Sequence, residues 1–258
     1  MSDVAPDIRL RLAPNPGPMT LEGTNTWILG RPGGPSVVVD PGPPDETHLR
    51  AVQAEAGEVV VTVLTHRHVD HSEGLPRFAE LTGAGARAAD PAYVIPAGGH
   101  DGRLRDGDLI EGTDLTIRAL ATPGHTSDST SLLVTSERGA WLLTGDMVLG
   151  RGTTVITHPD GDLGAYLDSL EVLLQAVREH DVSAILPGHG PVVSEPERLL
   201  RFYREHRLGR LEQVREALRL GDETAAQIVT RVYAEVDRSL WPAAEQSVRA
   251  QLDYLRTH

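Results

Sequence analysis

The stretch "EVVVTVLTHRHVDH", residues 58–71, decides how this chain is read. Its first half is a run of β-branched residues ending in Leu64, which suits a strand buried on both faces. Its second half crowds His66, His68, Asp70 and His71 into six positions. His66 and His68 alternate as residues leaving a strand do, so both imidazoles can point to one side, whereas Asp70 and His71 fall where a following helix begins. Burying four such groups beside a strand end without compensation is costly. Metal cations offset that cost, and two divergent pairs of side chains suit two metals.

One motif does not complete a site for two metals, and the chain offers further donors at other strand ends. "ATPGHTSDS" places His125 after an apolar segment ending near Leu120, "LLTGDM" places Asp146 after residues 140–143, and "ILPGHGP" places His189 after residues 183–186. Each follows a small turn containing Gly, a backbone that lets a side chain project into a shared pocket. Composition removes competing chemistries. There is no cysteine, which excludes thiolate ligands, disulfides and thiol nucleophiles. All 24 basic residues are arginine, so no lysine nucleophile, Schiff base or P-loop lysine exists. Serines stand beside histidines in "GHTSDS" and "DHSEG", but those histidines are better used as ligands than as bases for a serine nucleophile.

Around these motifs the chain divides into two textures. Through residue 190, short apolar runs (26–29, 36–40, 59–64, 115–120, 130–135, 140–146 and 183–190) are punctuated by Gly and Pro and read as strands. Helix candidates lie after Asp45, from about Ser72 to Leu81, and where Leu163, Leu167, Leu170, Leu174 and Val177 recur at helical spacing. This is a layered α/β domain over 1–195. From residue 196 to 258 the texture is helical. Leu199, Phe202, His206, Leu211, Val214 and Leu218 are expected on an inner face, "LGDET" breaks the chain, and two further helices carry Ile228 to Tyr233 and Val248 to Leu255. The formal charge is −13 overall; residues 1–195 carry 13 Arg against 27 acids, and residues 196–258 carry 11 Arg against 10 acids. Such a balance argues against a protein that coats nucleic acid or anionic membrane. With neither a signal-peptide pattern nor an apolar run of membrane-spanning length, a cytoplasmic protein is expected.

The ordered set "VVVDPG", "THRHVDH", "TPGHT", "TGD" and "PGHGP" resembles the metallo-β-lactamase superfamily across residues 24–190. The resemblance implies a four-layer αββα sandwich with its site at one edge between two sheets. It further implies that His66, His68 and His125 hold one metal, that Asp70, His71 and His189 hold a second, and that Asp146 bridges them. Asp40 matches the buried carboxylate that orients a ligand histidine in that family. Asp146, and the lack of any cysteine, depart from true β-lactamases, so antibiotic hydrolysis is not the expected activity. "NPGPMTLEGTNTWILG" (15–30), "GDMVLGRGTTVI" (145–156) and "YREHRLGRLEQV" (203–214) look like the branch containing the animal lactamase-beta-like endoribonuclease. That branch carries a small winged-helix-like C-terminal domain. The helical tail here runs to "DYLRTH" without a strand hairpin, so groove reading by a wing is not expected.

The ligand set suits two Zn²⁺ per chain, with Mn²⁺ or Fe²⁺ also compatible. Two adjacent dications holding a bridging water lower its pKa from about 15.7 toward roughly 7, which makes a hydrolase the leading reading, with Asp70 orienting the nucleophile or relaying its proton. The scissile bond stays open between single-stranded RNA and a small-molecule acyl ester or thioester. A third reading is a nucleic-acid-binding regulator with structural metals. Oligomeric state is left open. Asn25, in "EGTNT", is either a substrate contact near the metal edge or a turn residue entering a strand. His206 and Arg207 either reach substrate anions or act as a helix-packing histidine and a solvated arginine, the latter pair of roles being favoured. Arg198, Arg201, Arg204, Arg207 and Arg210 recur every third residue, which winds around a helix instead of forming one phosphate-binding stripe. His48, His100, His158, His180 and His258 are expected on surfaces or loops.

Overall fold

The structure, a computed structural model, describes residues 4–97 and 101–258. In the first half, strands β1 (Ile8–Leu12), β2 (Asn25–Leu29), β3 (Ser36–Val39), β4 (Val59–Val63) and β5 (Gly85–Arg87) are accompanied by helices α1 (Glu46–Ala56), α2 (Val69–Ser72) and α3 (Leu75–Thr82). In the second, strands β6 (Leu109–Ile110), β7 (Thr116–Ala121), β8 (Thr130–Ser136), β9 (Gly139–Gly145) and β10 (Val182–Pro187) surround α4 (Leu163–Glu179). The strands form two five-stranded sheets, ordered β1-β2-β3-β4-β5 and β10-β9-β8-β7-β6.

Alternation along the central strands builds the layers. Trp27, Leu29, Val37, Val39 and Val63 face across to Ile117, Leu132, Val134, Leu143 and Leu186 of the other sheet. The intervening Ile28 and Val38 point the opposite way, onto Leu49 and Val52 of α1 and Phe78 of α3. On the far side, Leu133, Leu142 and Ile185 meet Leu163, Tyr166, Leu170, Leu173 and Leu174 of α4. Sheet on sheet with helices outside each is the αββα sandwich. It explains why the runs "SVVV" and "VVVTV" lack polar alternation: both of their faces are covered.

After β10 the chain enters α5 (Pro196–Arg219), α6 (Ala225–Val232) and α7 (Trp241–Thr257). Val214, Ala217, Ile228, Val229, Ala244 and Val248 share a small core, while Leu200, Tyr203, Leu211 and Ala250 pack into the layer of α4. The inner face of α5 differs from the expected one: Leu200, Tyr203, Arg207, Leu211, Val214 and Ala217 are buried, and Phe202 and Leu218 are exposed. Contact with α4 selects the face, and a basic residue belongs to it because Arg207 stacks over Tyr166, its guanidinium carbon 5.0 Å from the ring centre.

Other elements also depart from expectation. β1, β5 and β6 escape the sequence reading; the last two hold only three and two residues, too few for a period to show. The helix expected from about Ser72 to Leu81 is α3, which starts later, at Leu75, after the short α2; the break falls at Gly74, whose backbone lies so near the 42–43 turn that an added Cβ would stand 2.7 Å from Gly42 O. His48 is buried, its Nε2 3.1 Å from Thr26 Oγ1 and 3.2 Å from Pro41 O, because α1 packs directly on the turn after β3. His100 lies outside the described residues. Among the described residues, no helix is long and apolar enough to cross a membrane.

Candidate metal centre

The site lies at one edge of the sandwich, where β3, β4 and β9 end and where the 121–130 connection and the loop after β10 also converge. The structure brings together all seven side chains singled out in the sequence. His66, His68, His125 and Asp146 form one group of converging donors, and Asp70, His71 and His189 a second, the chosen atoms within each lying no more than 4.8 Å apart. In the first, His66 Nε2 and His125 Nε2 stand 3.1 and 3.0 Å from His68 Nδ1. Three imidazole nitrogens at zinc-ligand distance in a tetrahedron stand about 3.3 Å apart, so this spacing fits one cation at the centre. In the second group, His71 Nε2 and His189 Nε2 are 3.2 Å apart and Asp70 Oδ2 is 3.1 Å from His189 Nε2.

Asp146 stands between the groups. Its Oδ2 lies 3.8 Å from His125 Nε2 and 3.4 Å from His189 Nε2, and its Oδ1 lies 3.4 Å from His71 Nε2. That Oδ1 is buried without a hydrogen-bond partner among the described residues. A buried carboxylate oxygen without a hydrogen-bond partner, beside the imidazoles of His71, His125 and His189, has the chemistry of a cation ligand, so the donor set fits a divalent metal.

The far ring nitrogens are held from behind. His125 Nδ1 donates to Val155 O at 2.6 Å, and His189 Nδ1 donates to Gly23 O at 3.1 Å. His71 Nδ1 donates to Asp40 Oδ2 at 2.8 Å. Asp40 also accepts from Thr65 N at 2.8 Å and from the Thr65 hydroxyl at 2.7 Å, and that hydroxyl oxygen lies 3.0 Å from His66 Nδ1. One carboxylate thus orients His71 directly and His66 through Thr65. Each such bond leaves the lone pair of the opposite nitrogen pointing at the centre. To reach both partners Asp40 adopts φ +53°, a left-handed conformation that Asp tolerates better than most residues. Thr65 was missed in the sequence, and only the intervening hydroxyl reveals its part. The acceptors Val155 O and Gly23 O belong to the backbone and carry no sequence signal.

Asn25 does not face the cleft. Its amide donates to Pro187 O at 3.0 Å and Gly190 O at 2.9 Å, tying β2 to the loop that carries His189. Arg207 is buried, not solvated, and its Nη2 donates to Thr154 O. Half-buried His206 lines the cleft; burial and the neighbouring Arg207 and Arg210 push it down to about 4, so it is neutral at pH 7.

Without metal, the two groups hold protons differently. Burial pushes His66, His68 and His125 down, His125 to about 4. Burial opposes the charged form of His71 and His189 too, but Asp146 outweighs it, aided by Asp40 at His71 and by Asp70 at His189; both are raised, His189 to about 9. The first trio is therefore neutral and ready for a cation, whereas the second group must shed protons. Below the raised pKa of His189, acid competes with metal, so affinity at the second group is expected to fall by about tenfold per pH unit for each proton displaced. Calorimetric zinc titrations in buffers of different ionisation enthalpy measure that release; identical apparent enthalpies in all buffers would contradict it.

Gly188 makes the centre intolerant of even a methyl group. A Cβ there would lie 2.5 Å from Asp146 Oδ1 and 2.8 Å from His71 Cε1. Gly188→Ala is expected to displace Asp146 and lower metal content while far-ultraviolet circular dichroism stays unchanged. Full metal content in the variant would disprove this.

Comparison with known proteins agrees with this geometry. Residues 19–189 match the family model described as metallo-beta-lactamase superfamily, and residues 224–257 match a beta-lactamase associated winged helix domain. A beta-lactamase-like protein 2 homolog of Caenorhabditis elegans is 33% identical over 255 residues, covering 95% of this chain and 82% of the relative. An atrochrysone carboxyl ACP thioesterase of Aspergillus chevalieri is 33% identical over 249 residues, covering 90% of this chain and 75% of the relative. The crystal structure of a beta-lactamase domain protein from Burkholderia ambifaria superposes with a TM-score of 0.80 at 25% identity, covering 99% and 87% of the two chains.

Proposed function

The chain belongs to the metallo-beta-lactamase superfamily, and from that premise we propose that it is a dinuclear metal-dependent hydrolase of acyl esters or thioesters. His66, His68 and His125 would hold one metal, Asp70, His71 and His189 the other, with Asp146 shared. Bound divalent metal supplies a Lewis acid for the substrate's oxygen and a water of lowered pKa. Asp70 is the chain's own proton handler. Burial raises its pKa, but the His189 hydrogen bond and the nearby His71 outweigh that and hold it below its ordinary value, so it stays ionised. With Oδ2 on His189, its second oxygen is free to orient the attacking water and accept a proton.

The observation that carries the acyl reading is the cleft. A cavity of about 550 Å³ opens onto His68, Asp70, His125 and Asp146. Its lining is mainly apolar and includes Met19, Leu21, Leu149 and Val155, with Val236 and Leu240 from the segment between α6 and α7. Single-stranded RNA is gripped by unengaged cations and stacked aromatics. The cleft's cations are engaged: Arg151 pairs with Glu22, Arg207 with Thr154 O, and Arg210 with Val232 O while lying over Tyr233. The relative named as an acyl carrier protein thioesterase supports the same class.

Incubating the zinc-loaded protein with acyl thioesters, aryl esters and unstructured RNA, beside a His68→Ala control, tests the proposal. Acyl hydrolysis lost in the control, with RNA intact, is expected; RNA cleavage with acyl substrates untouched would refute it. Acyl chain length gives a finer expectation. Each methylene buried in the cleft contributes about 0.8 kcal/mol, so kcat/KM should climb about fourfold per carbon over the first few carbons. Leu240→Glu should flatten that slope and leave acetyl ester hydrolysis unchanged; an unaltered slope would show that the segment between α6 and α7 is not a wall of the acyl site.

A further inference from the structure

We infer that Arg207, on a C-terminal helix, is a positioning residue for His125, acting through the backbone of the 147–157 loop; the inference rests on the metal-ligand reading of His125. The loop leaves the centre directly after Asp146 and returns beneath His125. Val155 O accepts from His125 Nδ1 at 2.6 Å, Thr154 Oγ1 lies 3.2 Å from the same nitrogen, and Thr157 N donates to His125 O at 3.1 Å. The loop has no strand or helix of its own between β9 and α4. Its backbone groups are instead held by three side chains of the C-terminal helices. The Tyr203 hydroxyl accepts from Leu149 N at 2.9 Å and donates to Gly152 O at 3.1 Å, Arg207 donates to Thr154 O, and Ser247 Oγ accepts from Ile156 N at 3.1 Å.

Within this latch Ser247 bonds the Val155–Ile156 peptide itself, and Arg207 bonds the carbonyl of the peptide just before it. Arg207 is 4% exposed, lies over the Tyr166 ring, and pairs with no carboxylate among the described residues; its Nε is buried without a partner. Tyr166 in turn donates its hydroxyl to Met147 O, at the start of the same loop, at 2.5 Å. A buried guanidinium without a counter-ion costs stability, and an apolar side chain of similar volume is often tolerated or preferred at such a site. Packing therefore does not account for Arg207. What it supplies is a fixed Thr154 carbonyl. Because the peptide is planar, few torsions separate that carbonyl from Val155 O, the acceptor that sets the ring plane and tautomer of His125. The helical unit thereby reaches the metal centre by a covalent path of two residues.

The test compares Arg207→Met, which keeps the packed length and loses the donors, with Arg207→Lys, which restores a donor, and with Leu211→Ala, which removes a buried apolar side chain one turn further along the same helix and takes away no hydrogen bond to the loop. Two measurements are made on each: a Co²⁺ titration followed by absorption, and amide hydrogen exchange of residues 149–157 in metal-free protein. Arg207→Met is expected to weaken Co²⁺ binding by about 10- to 100-fold, the usual effect of losing a group that orients a ligand, to alter the Co²⁺ spectrum and to speed loop exchange. Arg207→Lys should recover part of all three, and Leu211→Ala should leave Co²⁺ affinity within about twofold of the parent. Wild-type-like Co²⁺ binding or loop exchange in Arg207→Met, or equal weakening in Leu211→Ala, would overturn the inference. Should Arg207→Met not fold, Ser247→Ala, which releases the same loop at Ile156, is expected to shift both measurements in the same direction, and its failure to do so would count equally against the latch. A parent protein that takes up no Co²⁺ would instead sink the metal reading of His125, while the exchange measurement still decides whether Arg207 holds the loop.

Discussion

Asp146→Ala is expected to abolish turnover, lowering kcat by about a thousandfold or more, and to reduce metal content. The carboxylate spans both donor groups, with oxygens 3.4 Å from His71 and His189 and 3.8 Å from His125. Removing it leaves four buried imidazoles with one carboxylate fewer to balance any cation among them. On the dinuclear reading, two cations held close together without this carboxylate would repel each other, and losing their Lewis-acid contribution, worth several kcal/mol, would convert to that loss of rate. Metal analysis and single-turnover assays check both parts. A variant that keeps full metal content and hydrolyses at the parent rate would remove Asp146 from the mechanism. Asp146→Asn sharpens the test, since it keeps the volume and loses the charge; its metal content should also fall, and activity should stay low.

Asp40→Ala is the second large effect, although Asp40 points away from the centre. Its loss strands Thr65 N, the Thr65 hydroxyl and His71 Nδ1, all within 2.8 Å of the carboxylate at present. A buried donor left unpaired costs about 1–3 kcal/mol, so destabilisation of several kcal/mol is expected. Metal affinity should fall by about 10- to 100-fold as His66 and His71 lose the partners that aim them. Urea unfolding of metal-free protein reads the first quantity and chelator competition the second. Asp40→Asn separates them: shape is kept, but one carboxylate oxygen becomes an amide that cannot accept from all three donors, so affinity should drop more than stability. Equal affinity in Asp40→Asn and the parent would show that Asp40 only closes the turn after β3.

Much of the site was legible because its donors obey local rules. His66 and His68 are separated by the strand period, and His125, Asp146 and His189 each follow an apolar run through a turn with Gly, so short-range pattern already marked them. The layered α/β character was legible for a similar reason, since runs such as "SVVV" lack the alternation of a half-exposed strand, while the αββα order came from the family resemblance. Readings failed where a residue's surroundings come from elsewhere in the chain. His48 belongs to an ordinary helical turn, and only the approach of Thr26 and Pro41 makes it buried. Asn25 has a turn-like context, yet its amide is claimed by carbonyls of residues 187 and 190. Part of the inner face of α5 was misplaced because Phe202 and Leu218 look apolar enough to face inward, whereas Tyr166 and the 147–157 loop select Tyr203 and Arg207.

The amino-acid sequence by itself marked the seven donors that the fold gathers into one place, most of the order of strands and helices, and which nucleophiles are excluded by the absence of cysteine and lysine. The elements follow from periods of two and 3.6 residues and the exclusions from composition, both short-range along the chain, whereas the grouping of the seven donors followed from the resemblance of their ordered motifs to a family. The tertiary structure alone decided that Asp40 steers two histidines, that Val155 and Gly23 hold two more through backbone oxygens, and that the C-terminal helices wall the cleft and latch its floor. Hydrogen bonds and burial act over a few ångströms in space, and the partners they join here lie up to 166 positions apart in the chain.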